Sequence, residues 1–248
     1  MNSKLPKYKL TYKPYGAHSI LIEWPNEIDE NILNNALCFK RVIEKKEIKQ
    51  KVYIKLSYSS LLITYNTAIR NIYDKISQLK TLYNIANDFS RSPIKLWHIP
   101  VCYDTSFGID LERISTQNEI SKQEIIRQHT ASIYTVYFIG FLPGFLYLGG
   151  LNNRLHIPRL STPRLAVEKG AVAIGGNQTG VYPNVSPGGW NIIGNTPISF
   201  FVPNTNPPCF AKSGDKIRFH SISKLEYDTI KALVKADTYQ LESEVTFD

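Results

Sequence analysis

The sequence predicts an α+β domain followed by a mainly-β domain, and two observations support this fold class. Over the first 93 residues, short β-prone runs alternate with segments of helical periodicity. From residue 94 onward, glycine and proline separate many short strand-like runs. Because 248 residues exceed the usual size of one domain, we expect domains at 1–93 and 94–248, each with its own core.

The first domain is expected to contain four strands and two helices. The β-prone runs are 8–15 (YKLTYKPY), 18–24 (HSILIEW), 51–57 (KVYIKLS) and 59–66 (SSLLITYN). Apolar residues recur at helical spacing in 26–43 and again in 66–90. We interpret this alternation as a ferredoxin-like, split βαβ arrangement that ends at Ser92–Pro93.

The second domain begins with IKLWHIPVCY (94–103) and continues into one helical segment, TQNEISKQEIIRQHTAS (116–132). Ser121 and Glu124 have the spacing of a capping box, which places a helix start at Ser121. Strand-like runs follow between glycines, namely AVAIGG (171–176), WNIIG (190–194), ISFFVP (198–203) and DKIRFHSI (215–222). This pattern is typical of a β-barrel or sandwich, and no repeat with a period of about 20 to 50 residues indicates a solenoid or propeller.

The stretch FIGFLPGFLYLGGL, Phe138 to Leu151, is strongly apolar but is interrupted by Pro143 and four glycines. A membrane-spanning helix needs about 20 predominantly apolar residues without such interruptions. We therefore interpret the stretch as a strand that leads into a glycine-hinged, aromatic-lined loop. Such a loop combines apolar walls with close approach of the backbone to a ligand or partner.

Composition disfavours several classes of function. The net charge of +8 and the pI near 9.2 are compatible with an anionic partner, but acidic residues interleave with the basic run 40–51, and no aromatic–basic stripe for single-stranded nucleic acid is present. Cys38, Cys102 and Cys209 are far apart, so neither a disulfide framework nor a zinc site is indicated. The N-terminus lacks the apolar core of a secretory signal, and we expect a cytoplasmic protein that binds neither nucleic acid nor membrane.

Two Pro-Arg pairs, Pro158–Arg159 and Pro163–Arg164, are the strongest candidates for a binding site. Proline fixes the backbone before each arginine, and a guanidinium fork suits a carboxylate or a phosphate. The alternative is structural, because Asp110, Glu112 or Glu168 would pair with these arginines and hold loops in place.

Other candidate residues surround the glycine turns. Gln178 and Tyr182 supply neutral donors and acceptors, and Trp190 follows a Pro-Gly-Gly turn as either a wall of the site or a core residue. His129 is the best candidate for a general acid or base, since its ordinary pKa is near neutral pH, although a lone helical histidine is commonly structural. No metal-ligand spacing, phosphate loop or GxSxG motif is present.

Four long motifs occur in an order that is typical of one family. They are YFIGFLPGFLYLGGL (137–151), PRLSTPR (158–164), VEKGAVAIGGNQTGVYPNVSPGGWNIIGNTP (167–197) and SGDKIRF (213–219). They resemble the family of the 5-oxoprolinase B subunit, also called the KipI or allophanate hydrolase small-subunit family. IPVCYDTSFGIDLERIS (99–115) resembles the start of the same domain, and the first domain resembles the family in layout and through SSLLITYN.

The resemblance implies a cyclophilin-like β-barrel behind the small α+β domain. It also implies a non-autonomous enzyme subunit, which works with a homologous larger barrel subunit of the KipA type and with a TIM-barrel-type subunit. The complex opens the lactam of 5-oxoproline to glutamate at the expense of ATP. By motif position, the resemblance implies catalytic roles for His129, Arg159 and Arg164. The implied substrate-binding residues are Phe141, Pro143, Gly144, Tyr147, Gln178, Tyr182, Gly188, Gly189 and Trp190.

The sequence departs from the family pattern at two places. Glu168–Lys169 stands where a proline and a small residue are common, and Ala171 stands where serine is common. Both changes flank a strand and concern a local turn more than the site. Three functions stay open: the 5-oxoprolinase subunit, a KipI-like inhibitor of a sensor histidine kinase, and the carboxyltransferase half of a urea carboxylase-type system. The sequence does not determine which protein of the complex holds ATP.

Overall fold

The computed structural model describes residues 7–46, 52–86 and 93–246, and the chain divides into two compact units between Pro93 and Ile94. Parts of several predictions lie outside the described residues. These are the N-terminal 1–6, the end of the charged run at 47–51, the end of the second helix at 87–90, and Ser92. Each unit has its own apolar core.

The first unit contains an antiparallel sheet and two helices. Its elements are β1 (Thr11–Tyr15), β2 (Ser19–Glu23), α1 (Glu30–Lys46), β3 (Val52–Leu56), β4 (Ser60–Tyr65) and α2 (Ile72–Ala86). The strand order is β1-β2-β4-β3. Buried residues alternate along β2 and β4, and they share one apolar cluster with buried residues of α1 and α2. The two helices therefore cover the apolar face of the sheet.

Helix α1 connects two strands that lie on either side of β4 in this sheet, which is the connectivity of a split βαβ unit. Both β2 and β3 are antiparallel to β4, so these two strands run parallel to each other, and α1 joins them as in the predicted split βαβ arrangement. Only three residues connect β1 to β2, and three connect β3 to β4. Such short connections join antiparallel neighbours, so the chain runs as hairpin, helix, hairpin, helix.

Helix α1 starts where a side chain can replace the missing backbone acceptors. The Oδ1 atom of Asp29 accepts hydrogen bonds from the backbone N–H groups of Asn31 (2.8 Å) and Ile32 (3.0 Å). The helix predicted over 26–43 therefore begins later, at Glu30. Its buried residues, Ile32 and Phe39 among them, recur at helical spacing and form the face that packs on the sheet.

The second unit is built around a closed barrel of seven strands. Its strands are β5 (Ile94–Cys102), β6 (Ile133–Ile139), β7 (Leu146–Gly149), β8 (Arg164–Val167), β9 (Ala171–Gly175), β10 (Gln178–Val181), β11 (Ser186–Gly188), β12 (Asn191–Asn195), β13 (Lys216–Ile222) and β14 (Ser243–Thr246). The ring runs β12-β9-β10-β7-β6-β13-β5, and pairing of β12 with β5 closes it. Strand β14 pairs with β5, and β8 pairs with β11 in a separate ribbon. The predicted barrel is confirmed.

Helices accompany the barrel at three places. The segment predicted as one helix over 116–132 is divided between α3 (Leu111–Asn118) and α4 (Lys122–Ala131). Glu119, in the left-handed conformation at φ 53°, ends α3. The Ser121 hydroxyl accepts the backbone N–H of Glu124 at 3.1 Å and begins α4, as the capping pattern predicts. A further helix, α5 (Lys224–Lys235), was not predicted from the sequence.

Three of the four strand-like runs are strands. AVAIGG, WNIIG and DKIRFHSI form β9, β12 and β13. The fourth run, 198–203, has no regular structure, because Pro197 and Pro203 bracket it and supply no backbone N–H for a ladder. Phe200 in this run is buried in the barrel core, so its apolar character serves packing and not strand pairing.

Candidate functional site

The outer face of the β9–β10 hairpin forms a floor beneath Trp190. Side chains alternate along β9, so that Val172 and Ile174 belong to the barrel core, whereas Ala173 belongs to the cluster that contains Trp190. A Cβ atom on Gly175 would lie 2.6 Å from the indole ring. Glycine at this position therefore permits the ring to pack directly on the strands.

Aromatic rings surround Trp190. Phe145 contacts Trp190 and Tyr182 edge-on, with ring centroids 5.5 and 5.4 Å apart. The Tyr147 ring lies 6.3 Å from that of Trp190. Phe141 packs edge-on against Phe145 at 5.6 Å, yet 62% of its surface is exposed. The cluster thus runs from a buried base to an aromatic edge in solvent.

The loop between β6 and β7 presents this edge. Gly144 has φ +85°, and a Cβ atom there would lie 2.7 Å from the Cβ of Phe201, so the turn requires glycine. Pro143 is exposed beside it. Phe141 also has a positive φ, 62°, which is sparsely populated for a bulky residue. As predicted, the apolar stretch is a strand that leads into a glycine-hinged loop, and β7, which was not predicted, follows the loop. No helix in the described ranges is long and apolar enough to span a membrane.

Arg159 lies above Trp190 with its charge unpaired. Its guanidinium carbon is 5.5 Å from the centre of the indole ring, and the residue is exposed. No carboxylate among residues 7–46, 52–86 and 93–246 lies within ion-pair distance of it. The backbone on both sides is held in place, because Ile157 pairs with Gly176 and the N–H of Leu160 donates to the carbonyl of Gly189 at 2.7 Å.

Arg164 is in a different environment. Its Nη2 atom lies 2.7 Å from Oδ1 of Asp110, a carboxylate that is 6% exposed. Its Nη1 atom donates to the carbonyl oxygen of Trp190 at 3.4 Å. The structural alternative considered for the arginines, pairing with Asp110, therefore holds for Arg164, and the two Pro-Arg pairs are not equivalent.

Gln178 and Tyr182 complete the cluster. Gln178 is the antiparallel partner of Gly175, so its side chain projects from the same face of the hairpin as Trp190. Its Oε1 atom is buried and has no hydrogen-bond partner within the described chain. Burial raises the pKa of Tyr182, an effect that is partly offset by the backbone N–H of Trp190 and by the charge of Arg159.

Gly188 and Gly189, which precede Trp190, differ in how closely neighbouring atoms approach them. A Cβ atom on Gly188 would collide with the phenol of Tyr182, so this glycine is required by the packing. Gly189 is less constrained, because a Cβ atom there would meet its nearest neighbour at 3.6 Å. Its carbonyl instead serves as the anchor for the segment that carries Arg159.

His129 lies in the barrel interior. It is fully buried, and its Nδ1 and Nε2 atoms are 2.7 Å from the Tyr103 hydroxyl and 2.9 Å from the Thr179 hydroxyl. Its ring stacks on Phe219 with a centroid separation of 4.7 Å. Burial lowers the pKa of His129 to about 3, so the ring is neutral at neutral pH.

The sheet itself separates His129 from the arginines. Thr179 points inward to His129, whereas its neighbours Gln178 and Gly180 project from the opposite face towards Trp190. The structure therefore brings most of the candidate residues to the surroundings of Trp190, with Pro143 and Gly144 in the loop that carries Phe141, but places His129 on the other side of the barrel wall. A proton shuttle from His129 to a ligand at Arg159 does not fit this geometry.

Sequence reasoning missed one residue of the aromatic cluster. Phe145 stands in its centre but is one of many aromatic residues in an apolar stretch. Asp110 was named as a structural partner of the arginines, and the structure shows in addition that it is buried at the start of α3. The described part of the chain contains no group of three or more metal-ligating side chains. Within that part Cys38, Cys102 and Cys209 are free.

Comparison with known proteins identifies the family. Residues 10–211 match the family model described as carboxyltransferase domain, subdomain C and D. The chain is 34% identical over 227 residues to the 5-oxoprolinase B subunit of Bacillus subtilis (strain 168). That match covers 87% of this chain and 94% of the relative, so it includes both units.

Two solved structures resemble the chain. The crystal structure of TTHA0988 is 28% identical with a TM-score of 0.72; the match covers 83% of this chain, which spans only 40% of that one. The Kluyveromyces lactis urea carboxylase has a TM-score of 0.81 over 96% of this chain and 24% of its own length. At 19% identity, the second likeness concerns the fold alone.

Proposed function

The chain belongs to the family of carboxyltransferase domain, subdomain C and D, and from this membership we propose that it is the B subunit of an ATP-dependent 5-oxoprolinase. The support is the Bacillus subtilis relative of that name, which matches over 94% of its length. In this proposal the barrel is of the cyclophilin-like type, and the protein works in the cytoplasm. It is inactive alone and joins a homologous larger barrel subunit and a TIM-barrel-type subunit.

The observation that supports the site best is the unpaired guanidinium of Arg159 above Trp190 within the described chain. 5-Oxoproline is a small planar lactam ring that carries one carboxylate. A guanidinium fork binds a carboxylate through two parallel hydrogen bonds, and aromatic residues such as Tyr147 provide an apolar wall for a ring. The cluster offers these two features side by side.

ATP enters the proposal as a substrate of the assembled complex. A lactam is stabilised by resonance, so water opens it slowly without activation. Transfer of the γ-phosphoryl group to the lactam oxygen activates the ring carbon for attack by water. Cleavage of the C–N bond then gives an acyl phosphate, and a second water releases phosphate and glutamate. The sequence contains no GxxxxGKS or GxxxxGKT motif, which a phosphate loop would require.

In the proposed reaction, this chain binds and orients 5-oxoproline. Arg159 would hold the carboxylate, and the neutral phenols of Tyr147 and Tyr182 would line the site, since burial raises the pKa of both. His129 lies outside this cluster and contributes only to the barrel interior. Removal of a proton from the attacking water and protonation of the departing ring nitrogen are then carried out by a residue of another subunit or by water.

Reconstitution tests the proposal. 5-Oxoproline-dependent ATP hydrolysis and glutamate release are measured for this chain alone, for the partner subunits alone, and for the full mixture. We expect activity only in the full mixture. Arg159→Ala should lower kcat/KM for 5-oxoproline about 10- to 100-fold, the usual contribution of a charged hydrogen-bonded contact. Arg154→Ala is the matched control, because Arg154 is an exposed arginine nearby that pairs with Glu124 at 3.6 Å.

A second candidate is the carboxyltransferase half of a urea carboxylase-type system. The description of the matching family model as a carboxyltransferase domain favours it. The two candidates separate in one assay series, in which the same mixtures are given urea and a carboxylated biotin donor. Carboxyl transfer to urea without 5-oxoproline turnover would replace the first candidate by the second.

A further inference from the structure

The arginines of the two Pro-Arg pairs have different partners in the structure, and we infer that they have different roles in the site. Arg159 binds the substrate carboxylate. Asp110, acting through Arg164, is a positioning residue that holds Trp190 beneath Arg159. This inference rests on the proposed function for the identity of the ligand, 5-oxoproline, but its geometry is independent of that function.

The side chain of Asp110 does not cap its own helix, α3. It stands at the N-cap of α3, where an aspartate side chain ordinarily accepts backbone N–H groups of its own helix. Here the side chain makes no such bond. Its Oδ1 instead binds Arg164 at 2.7 Å, and its Oδ2 accepts the backbone N–H of Ile192 at 2.6 Å. Both oxygens therefore reach away from the helix to the chain around Trp190.

The contacts hold the backbone on both sides of the indole. Arg164 donates to the carbonyl of Trp190, and Asp110 binds the N–H of Ile192 two residues later. The backbone N–H of Asp110 also donates to the carbonyl of Ile192 at 2.9 Å. A buried carboxylate with both oxygens engaged is a rigid support, because any movement of it would leave charged or polar groups unpaired.

The same contacts make Arg164 a poor ligand for substrate. Its charge is already balanced by Asp110, and its side chain is 28% exposed. A substrate carboxylate at Arg164 would have to compete with the buried carboxylate of Asp110, which already binds this arginine. Arg159 is exposed and has no such partner in the described ranges, so the anion is bound there.

Binding is tested first on the full chain labelled with 15N. The chain has only three tryptophans, so the indole N–H resonance of Trp190 is assigned with Trp190→Phe. 5-Oxoproline should move this resonance, whereas 2-pyrrolidinone, the same ring without the carboxylate, should not. Arg159→Ala should abolish the response, and Arg154→Ala should keep it. Loss of the response in Arg164→Gln together with its retention in Arg159→Ala would overturn the inference.

Positioning is tested by a double-mutant cycle in the reconstituted complex. Asp110→Asn should shift the Trp190 resonance without ligand and lower kcat/KM about tenfold, mainly through KM. In the Asp110→Asn background, Arg159→Ala should lower kcat/KM less than about threefold, whereas in the parent it should lower kcat/KM about 30-fold. The effect is smaller because Trp190, on which Arg159 lies, is already displaced. Full additivity would overturn the positioning role. If Asp110→Asn does not fold, Arg164→Gln provides the same cycle.

The outcomes distinguish this inference from the proposed function. A parent complex without 5-oxoproline turnover would refute the proposed function. The roles of Arg159 and Asp110 would still be tested by the indole N–H resonance of Trp190, measured on addition of sodium acetate as the carboxylate probe. A response to acetate that needs Arg159 and is altered by Asp110→Asn supports the division of labour. No response to either carboxylate refutes it.

Discussion

Acidification is expected to destabilise the barrel through His129. Burial lowers the pKa of this histidine to about 3 in the folded protein, whereas an unfolded histidine titrates near its ordinary value of 6.5. Between these two pH values the unfolded chain binds a proton that the native interior excludes. The stabilising contribution is therefore fully present above about pH 6.5 and is lost as the pH falls towards about 3.

The magnitude follows from the two pKa values. Each pKa unit corresponds to about 1.4 kcal/mol of differential interaction, and the folded ring stays neutral throughout the range from about pH 7 to about pH 5. Integration over that range gives a loss of about 2 kcal/mol in the free energy of unfolding. This is a large fraction of the stability of an ordinary domain.

Urea unfolding at about pH 7 and about pH 5, followed by tryptophan fluorescence, measures this loss in the parent protein and in His129→Gln. Glutamine does not titrate and keeps an amide group towards Thr179. The variant should be less stable at neutral pH by about 1 to 2 kcal/mol, because the Tyr103 hydroxyl loses its partner. It should lose about 2 kcal/mol less than the parent on acidification. Equal losses in both proteins would refute the assignment of His129 as a buried neutral residue.

Three further changes test the packing. Gly175→Ala places a Cβ atom 2.6 Å from the Trp190 ring and should cost about 1 to 3 kcal/mol in thermal unfolding, whereas the control Gly189→Ala, whose nearest neighbour is 3.6 Å away, should cost less than about 1 kcal/mol. Asp215→Ala removes a buried acceptor of three N–H groups, so a loss of about 3 kcal/mol or more is expected in urea, and an unchanged midpoint would contradict this. Ser223→Ala removes the capping box of α5 and should cost about 1 kcal/mol, seen as faster hydrogen exchange in the first turn.

Local patterns in the sequence predicted most of the secondary structure. The spacing of Ser121 and Glu124 located the start of α4, because a cap depends on residues three apart. Alternation in SSLLITYN located β4 for the same local reason. The strand pairs of the first unit were not predicted individually, since the pairing of β2 with β4 joins residues about 40 positions apart, and no local pattern specifies it.

The role of His129 shows the same limit at the level of chemistry. Its ordinary pKa near neutral pH indicated an acid or base, whereas its position as a lone histidine on a helix indicated a structural role. Its actual environment is supplied by Thr179 and Phe219, which lie on strands far along the chain. Only their packing removes the ring from water, and this removal lowers the pKa of His129 to about 3, below the range useful for catalysis at neutral pH.

The sequence alone identified two Pro-Arg turns, a glycine-rich hairpin and an aromatic loop as candidate site motifs, because each is a contiguous motif with its own backbone requirement. It left the two arginines equivalent. The tertiary structure distinguished them by bringing Asp110 to Arg164, across 54 positions of the chain, and leaving Arg159 over Trp190. The electrostatic state of a side chain depends on which charges lie within a few ångströms of it, and only the folded chain decides that distance.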